Sequence, residues 1–448
     1  MVSRARGSVI SGLVGGLDVV INREIIAQRL GAFGLFSFMF FAWVGTAGAY
    51  LGLLLICIAF VAVIPLNFEV LKRDKVAVFF VGFCLYLLFR TAWSVIEYPE
   101  LMGDQIKGAL QWASLGLFIP IAWWIRQSKY KTYIVLAVLM LGFALSVIKL
   151  TDWDGCNVLV GGRRCGFGFQ LILGALLLGT ALLGLMMFIP RIVGRRYLHW
   201  TWFLRLLLWG ITTSLLAYFL LLTQTRAVWL GICVVLPLAL VWRYWEPLKA
   251  MVKGEKKVEL VIVLLALVAL VGAVVSTKSM IQTRVDQSIE ESLNIISSWG
   301  ESDVDGPIGL RVSMYKEGYR MWMERPWFGW GPSGANYPMF LDGINEETGY
   351  LTHFHSTYLE ALVRFGIVGC SIFLIVIGLL LINLHARYRR GGVSLDLYCF
   401  FTASMALLLL WSISDYQVAS TDWRILFIAL LGLAYSPVIG RSNDDQIN

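Results

Sequence analysis

Residues 201–245 read TWFLRLLLWGITTSLLAYFLLL, then TQTR at 223–226, then AVWLGICVVLPLALVWRYW. Two long apolar runs flank four polar residues. A helix of ~20 apolar residues spans the ~30 Å hydrocarbon layer of a bilayer. Lipid offers backbone N–H and C=O groups no partner, so each run must close its own hydrogen bonds as a helix. Ten further runs of this kind lie near 29–46, 48–66, 75–93, 106–125, 132–150, 167–189, 258–276, 356–384, 395–413 and 423–440. The expectation is an all-α polytopic membrane protein with about twelve transmembrane helices.

Composition agrees. The 448 residues are 58% apolar and only 15% charged, with a mean hydropathy of +0.74. An ordinary soluble domain is ~45–50% apolar and ~25% charged. A disordered chain, a disulfide-rich secreted domain and a standard soluble enzyme are excluded. The net charge of +8 is spread along the chain, so it follows from positive-inside topology, and no nucleic-acid partner is expected. Residues 1–28 carry Arg4, Arg6 and Arg23 without a signal-peptide pattern.

Well over half of the 37 Lys and Arg fall in segments that share one side if the N-terminus is cytoplasmic. The expected organisation is a cytoplasmic N-terminus at 1–28 and nine spans over 29–276. A long outward loop follows at 277–355, then three spans over 356–440 and a cytoplasmic tail at 441–448. A loop as long as 277–355 is usually functional in a compact protein. Within it, Ile308 to Glu324 reads as a helix ended by Pro326, with Tyr315, Tyr319 and Trp322 forming one aromatic stripe. The stripe suits either a membrane interface or packing against the transmembrane bundle.

Outward basic residues oppose the positive-inside trend and need another cause. Arg163 and Arg164 precede the sixth span, Arg226 heads the eighth, and Arg311 opens the loop helix. Guanidinium groups bind phosphate oxygens in pairs, so the four suit a pyrophosphate; each alone also suits a lipid headgroup or a carboxylate. His353 and His355 lie where the long loop meets the tenth span. A neutral imidazole there suits removal of a proton from a hydroxyl, or simply a polar helix start. His-Phe-His offers no third metal ligand, and Asp303-Val304-Asp305 and Asp152-Trp153-Asp154 are motifs short enough to arise by chance. Asp415 either orients a His or bonds Ser412, Ser414 or Tyr416. Glu360 and Arg364 are four apart and read as a mutual pair. Cys156 and Cys165 share one outward loop, as a disulfide or as two thiols.

Three segments together resemble the O-antigen ligase and polymerase superfamily of bacterial envelope glycosyltransferases, most of all the O-antigen ligases. Thr223-Gln224-Thr225-Arg226-Ala227-Val228-Trp229-Leu230-Gly231 is similar to the Ser/Thr-Arg-Gly/Ala-x-Trp-Leu-Gly stretch of that family. Arg311 through Trp330-Gly331-Pro332 resembles its Arg, Trp, Pro-x-x-Gly-x-Gly stretch. His355-Ser356-Thr357-Tyr358-Leu359 with Gly366-Ile367-Val368-Gly369 resembles His-Asn-x-Tyr-Leu…Gly-x-x-Gly, with Ser356 in place of Asn. The resemblance implies a GT-C-like fold with one large periplasmic loop between the ninth and tenth spans. It implies a multi-pass protein of the Gram-negative inner membrane, with its active site on the periplasmic side. The reaction implied is metal-independent, inverting transfer of O-antigen from undecaprenyl pyrophosphate to a sugar of lipid A–core. Carried over by position, Arg226 and Arg311, with Arg164, would hold the donor pyrophosphate; Arg163, beside Arg164 in sequence, is a further candidate for it. His355 would activate the acceptor hydroxyl, and Asp415 and His353 would orient it or bind acceptor. No cofactor is expected; the partners are the two lipid-linked substrates and membrane lipids, and the protein is expected to be a monomer. Rival readings are an O-antigen polymerase, a protein O-oligosaccharyltransferase and, from another class, a transporter. Transport is disfavoured by few intramembrane charges and by the absence of recognisable paired broken helices.

Overall fold

The computed structural model describes residues 2–126, 129–156, 164–194, 200–252, 307–334 and 353–440, with scattered positions between 278 and 293. Helices and turns, and no strand, occur among the described residues. Arg163, the expected span at 258–276, Asp303-Val304-Asp305 and the tail at 441–448 lie outside them.

The helices are α1 (Val2–Val44), α2 (Thr46–Lys72), α3 (Lys75–Glu97), α4 (Met102–Ala113), α5 (Phe118–Ile125), α6 (Lys129–Leu150), α7 (Trp153–Cys156) and α8 (Leu171–Met187). They continue with α9 (Ile189–Ile192), α10 (Trp200–Leu222), α11 (Arg226–Val252), α12 (Pro307–Glu324), α13 (Thr357–Arg389), α14 (Leu395–Trp411) and α15 (Thr421–Tyr435). Eight helical stretches among the described residues are long and apolar enough to cross a membrane. α8 and α14 are apolar but shorter. Large apolar side chains such as Leu54, Val61, Leu85, Leu88 and Leu238 are exposed on these helices. A water-soluble surface would not carry so many, whereas lipid solvates them.

The chain forms two compact units. One comprises Met1–Val78, Leu115–Ser146 and Ile425–Asn448. In it α1 and α2 pack as a hairpin hinged at Gly45, and α5 packs on both. The other comprises Phe79–Ser114 and Val147–Arg424. There α8 packs on α10, α11 and α14, while α13 packs on α12 and α14. Every described candidate residue lies in this second unit.

Two spans are interrupted, contrary to the expectation of unbroken helices. The stretch Pro99–Ile125 is segmented, with 3-10 turns at Pro99–Leu101 and Ser114–Leu117. α13 breaks at Gly366 (φ 62, ψ −170). A break within a span frees backbone groups that lipid cannot satisfy. Here the segment after α12 satisfies them: Trp330 and Gly331 donate to the carbonyls of Val363 and Arg364, while Ile367 and Val368 donate to those of Pro326 and Trp327. Contact this close requires glycine on both sides. A Cβ on Gly329 would lie 2.5 Å from the Val363 carbonyl, and one on Gly366 would strike the Trp327 backbone. Arg90, buried within α3, seals the arrangement by donating to the carbonyls of Phe328 (3.0 Å) and Gly329 (2.7 Å).

α12 confirms the helix expected after Ile308, and its aromatic stripe flanks the buried face of the helix. Met314 and Met321 face the core with Trp330, Phe354 and Val363. Trp322 flanks that core and Tyr319 is exposed. Apolar Met outcompetes Tyr for full burial because the phenol carries a hydroxyl that must stay hydrogen-bonded.

Candidate active site

The first cluster surrounds the turn between α10 and α11. Thr223 and Gln224 donate their N–H groups back to Leu220 and Leu221, and Gln224 has φ 51. The Thr225 carbonyl then accepts from Val228 and Trp229, starting α11 with Arg226 as its first residue. Thr223, Gln224 and Thr225 are buried. Unbonded N–H groups and the positive end of the macrodipole make a helix N-terminus suited to anions and unfavourable for a cation. A guanidinium placed there adds to that field, which is the chemistry of a phosphate site.

A disulfide between Cys156 and Cys165 closes the neighbouring loop, with Cα atoms 5.1 Å apart. The Cys165 N–H donates to the Leu222 carbonyl (3.2 Å), so the bridge ties Arg164 to the end of α10. Phe167 (φ 53) stacks on Phe219 with ring centroids 4.5 Å apart. Arg164 is exposed.

The second cluster lies at the start of α13. Ser356 caps the helix, its hydroxyl accepting from the Leu359 N–H. Ser and Asn cap comparably well, so the departure from Asn keeps the local role. Thr357 fastens this start to the turn after α14, through its N–H and hydroxyl, to the Asp415 carbonyl (3.0 and 2.8 Å). Thus His355 Nδ1 meets Asp415 Oδ1 at 3.3 Å, although 60 residues separate them. The second partner of Asp415 Oδ1 is the Tyr416 N–H at 2.7 Å. The imidazole stays 24% exposed whereas the carboxylate is 3% exposed. The acid is therefore held behind the His and the His faces outward.

α12 supplies the opposite wall. The Tyr315 hydroxyl donates to the His355 carbonyl (3.1 Å). Burial raises the Tyr315 phenol above its ordinary range; the Arg311 charge opposes this and Asp415 adds to it. Tyr315 therefore lies within electrostatic reach of both Arg311 and Asp415. The His353 ring lies 4.4 Å from that of His355 and 5.8 Å from Tyr416, centroid to centroid. Burial, then the His355 charge, lowers the His353 pKa from its ordinary 6.5, which keeps the ring neutral. Burial also pushes the Tyr416 phenol up to about 12.

No metal was expected here, on the ground that His-Phe-His lacks a third ligand. The structure corrects that ground: His353, His355 and Asp415 each present a ligand atom, all within 4.8 Å of one another. The turn after α14 brings the third donor, which sequence spacing does not show.

The structure thus brings His355, Asp415 and His353 together, places Arg311 one turn before Tyr315 on α12, and sets Arg226 and Arg164 at the α10–α11 turn. Sequence reading missed Tyr315 as a partner of His355, and it missed the bracing role of Arg90. The signal for Arg90 was present: a charge within a span, four residues before Ser94, whose hydroxyl accepts from it at 2.8 Å.

No curated protein matches the chain. Residues 211–374, which contain Arg226, Arg311, His353 and His355, match the family model described as O-antigen ligase. This segment, which carries both polar turns, is what the chain shares with the O-antigen ligase family.

Proposed function

We propose that the protein is an O-antigen ligase. It transfers glycan from undecaprenyl pyrophosphate to a sugar of lipid A–core at the periplasmic face of the inner membrane, with inversion and without a metal ion. The observation that carries this reading is the partly exposed His355, backed by buried Asp415 and bonded through its carbonyl to Tyr315. The proposed architecture is GT-C-like, with twelve spans and one large loop between the ninth and tenth. Nδ1–H donated to Asp415 fixes the tautomer and leaves Nε2 as the proton acceptor. As the acceptor hydroxyl attacks the anomeric carbon, its proton passes to Nε2. The bond from that carbon to the pyrophosphate oxygen breaks, and the electron pair leaves on undecaprenyl pyrophosphate. Arg226 and Arg311, with Arg164 and Arg163, stabilise the charge developing on the leaving group. His353, held neutral, lines the acceptor side. The Cys156–Cys165 bridge supports the outward assignment of this face, because disulfides persist in oxidising compartments.

The test uses purified full-length protein and undecaprenyl-pyrophosphate glycan, with and without lipid A–core, read by gel and mass spectrometry. Glycan joined to lipid A–core with chelator present is the expected product. A ladder growing on the carrier without acceptor would make the protein a polymerase. Activity lost to chelator and restored by a divalent ion would convert the His353, His355 and Asp415 set into a metal site.

A further inference from the structure

Glu360 and Arg364 form an ion pair inside a span, with side chains 0% and 6% exposed. Replacing such a pair by apolar residues is often neutral or stabilising, so stability alone is a poor reason for it. Its connections suggest another reason. One carboxylate oxygen, Oε1, takes Arg364 Nε (2.7 Å) and Nη2 (2.5 Å). The other, Oε2, reaches back past the Ser356 cap and accepts the Phe354 N–H at 3.1 Å. Phe354 is the residue between the two histidines. Arg364 in turn donates to the Pro332 carbonyl, on the segment that fills the break in α13.

His355 has φ 50, a backbone state that a non-glycine residue keeps only when its surroundings hold it. Three holds converge on it. Asp415 takes the ring, Tyr315 takes the carbonyl, and Glu360 takes the N–H one residue upstream. Of these only Glu360 belongs to a buried ion pair. We propose that Glu360 is a positioning residue for the transfer reaction: it aims His355 by anchoring the Phe354 backbone, and Arg364 orients the carboxylate for that task.

The inference rests on His355 acting in the transfer, so its test includes a readout independent of activity. Glu360→Gln leaves one oxygen to serve either Phe354 or Arg364, not both. Glu360→Leu/Arg364→Met removes both charges and the anchor together. For both variants kcat is expected to fall about 10- to 100-fold, the scale of a slightly misplaced catalytic group, with both KM values within about twofold. The double variant should retain a near-native melting temperature. In protein carrying 15N-labelled histidine, the ring signals of His355 and His353 should move while those of His199 and His385 stay. The His355 signal is identified by its loss in His355→Ala. A folded double variant with wild-type kcat, a change confined to KM, or unmoved His355 signals would overturn the proposal. Loss of folding in both variants would also overturn it, by assigning the pair to stability. If the wild-type protein fails to transfer glycan yet the His355 signals move, the functional reading falls and the positioning role stands.

Discussion

The turn at Arg226 and the turn at His355 look alike in outline. Each is a short polar interruption at the head of an apolar helix. Each contains a non-glycine residue at positive φ, Gln224 at 51 and His355 at 50. Their supports differ. The Arg226 turn is closed mainly by neighbours in sequence: Phe219, Leu220, Leu221 and Thr225 accept its backbone N–H groups and those that start α11. The His355 turn is held from three distant places, by Tyr315 on α12, by Asp415 after α14 and, through Phe354, by Glu360 within α13. On the proposed reading the first is a phosphate site that local rules can build, and the second a proton-transfer site whose geometry depends on the packing of three helices. Anion binding tolerates such local construction because charge acts over several ångströms. Proton transfer requires contact at hydrogen-bond distance.

The sharpest way to break this comparison is to remove the imidazole. His355→Ala should lower transfer to lipid A–core about 10²- to 10⁴-fold, the usual worth of a positioned base, with the melting temperature unchanged. Near-normal turnover would remove His355 from the chemistry. Arg226→Ala should cost about 10²- to 10³-fold, as for other lost donors to a developing charge. Arg226→Lys should recover little of it if the guanidinium fork is what matters. Full activity of Arg226→Lys at ordinary donor concentration would reduce the site to a point charge.

The remaining expectations concern support rather than chemistry. Gly329→Ala forces a Cβ against the Val363 carbonyl at positive φ (66). It should destabilise the protein by about 1–3 kcal/mol, measured as a shift in thermal unfolding in detergent. Cys156→Ser/Cys165→Ser opens a loop of sequence separation 9 and should cost about 2–3 kcal/mol. Because that loop bears on the Arg226 turn, donor KM should rise while acceptor KM holds. An equal rise in both would blur the distinction between the two turns. The smallest effect belongs to His353. Its pKa is lowered in the folded protein, so the unfolded chain binds the proton more readily. Its contribution to stability is complete well above 6.5 and fades as pH falls through that value. The melting temperature of His353→Gln should therefore decline less than that of the wild type between about pH 7.5 and 5.5, each about one unit from the ordinary value.

Much of the site was legible in advance where the signal was local. Arg226 stood out because a charge ended a four-residue gap between apolar runs. The capping role of Ser356 follows from its type and place. Glu360 and Arg364 were readable as a pair from their spacing, but the bond from Glu360 to Phe354 was not. That bond runs backward over a helix cap, and no periodicity marks it. The Gly366 break was hidden for a related reason. A lone glycine in an apolar run looks tolerable until a second backbone is seen to fill the gap it leaves.

Composition and run length alone determined that the chain is a helical membrane protein, because a bilayer leaves backbone groups no other way to be satisfied. Local residue types determined where the α10–α11 turn would fall and which cation would stand there. Only the tertiary structure decided that Asp415, not a nearer group, backs His355. It alone decided that Met rather than the aromatic stripe of α12 faces the core, and that Arg90 and the Pro326–Pro332 segment mend a broken span. These outcomes depend on which helix ends pack together, and that is set by the summed contacts of many residues far apart in sequence.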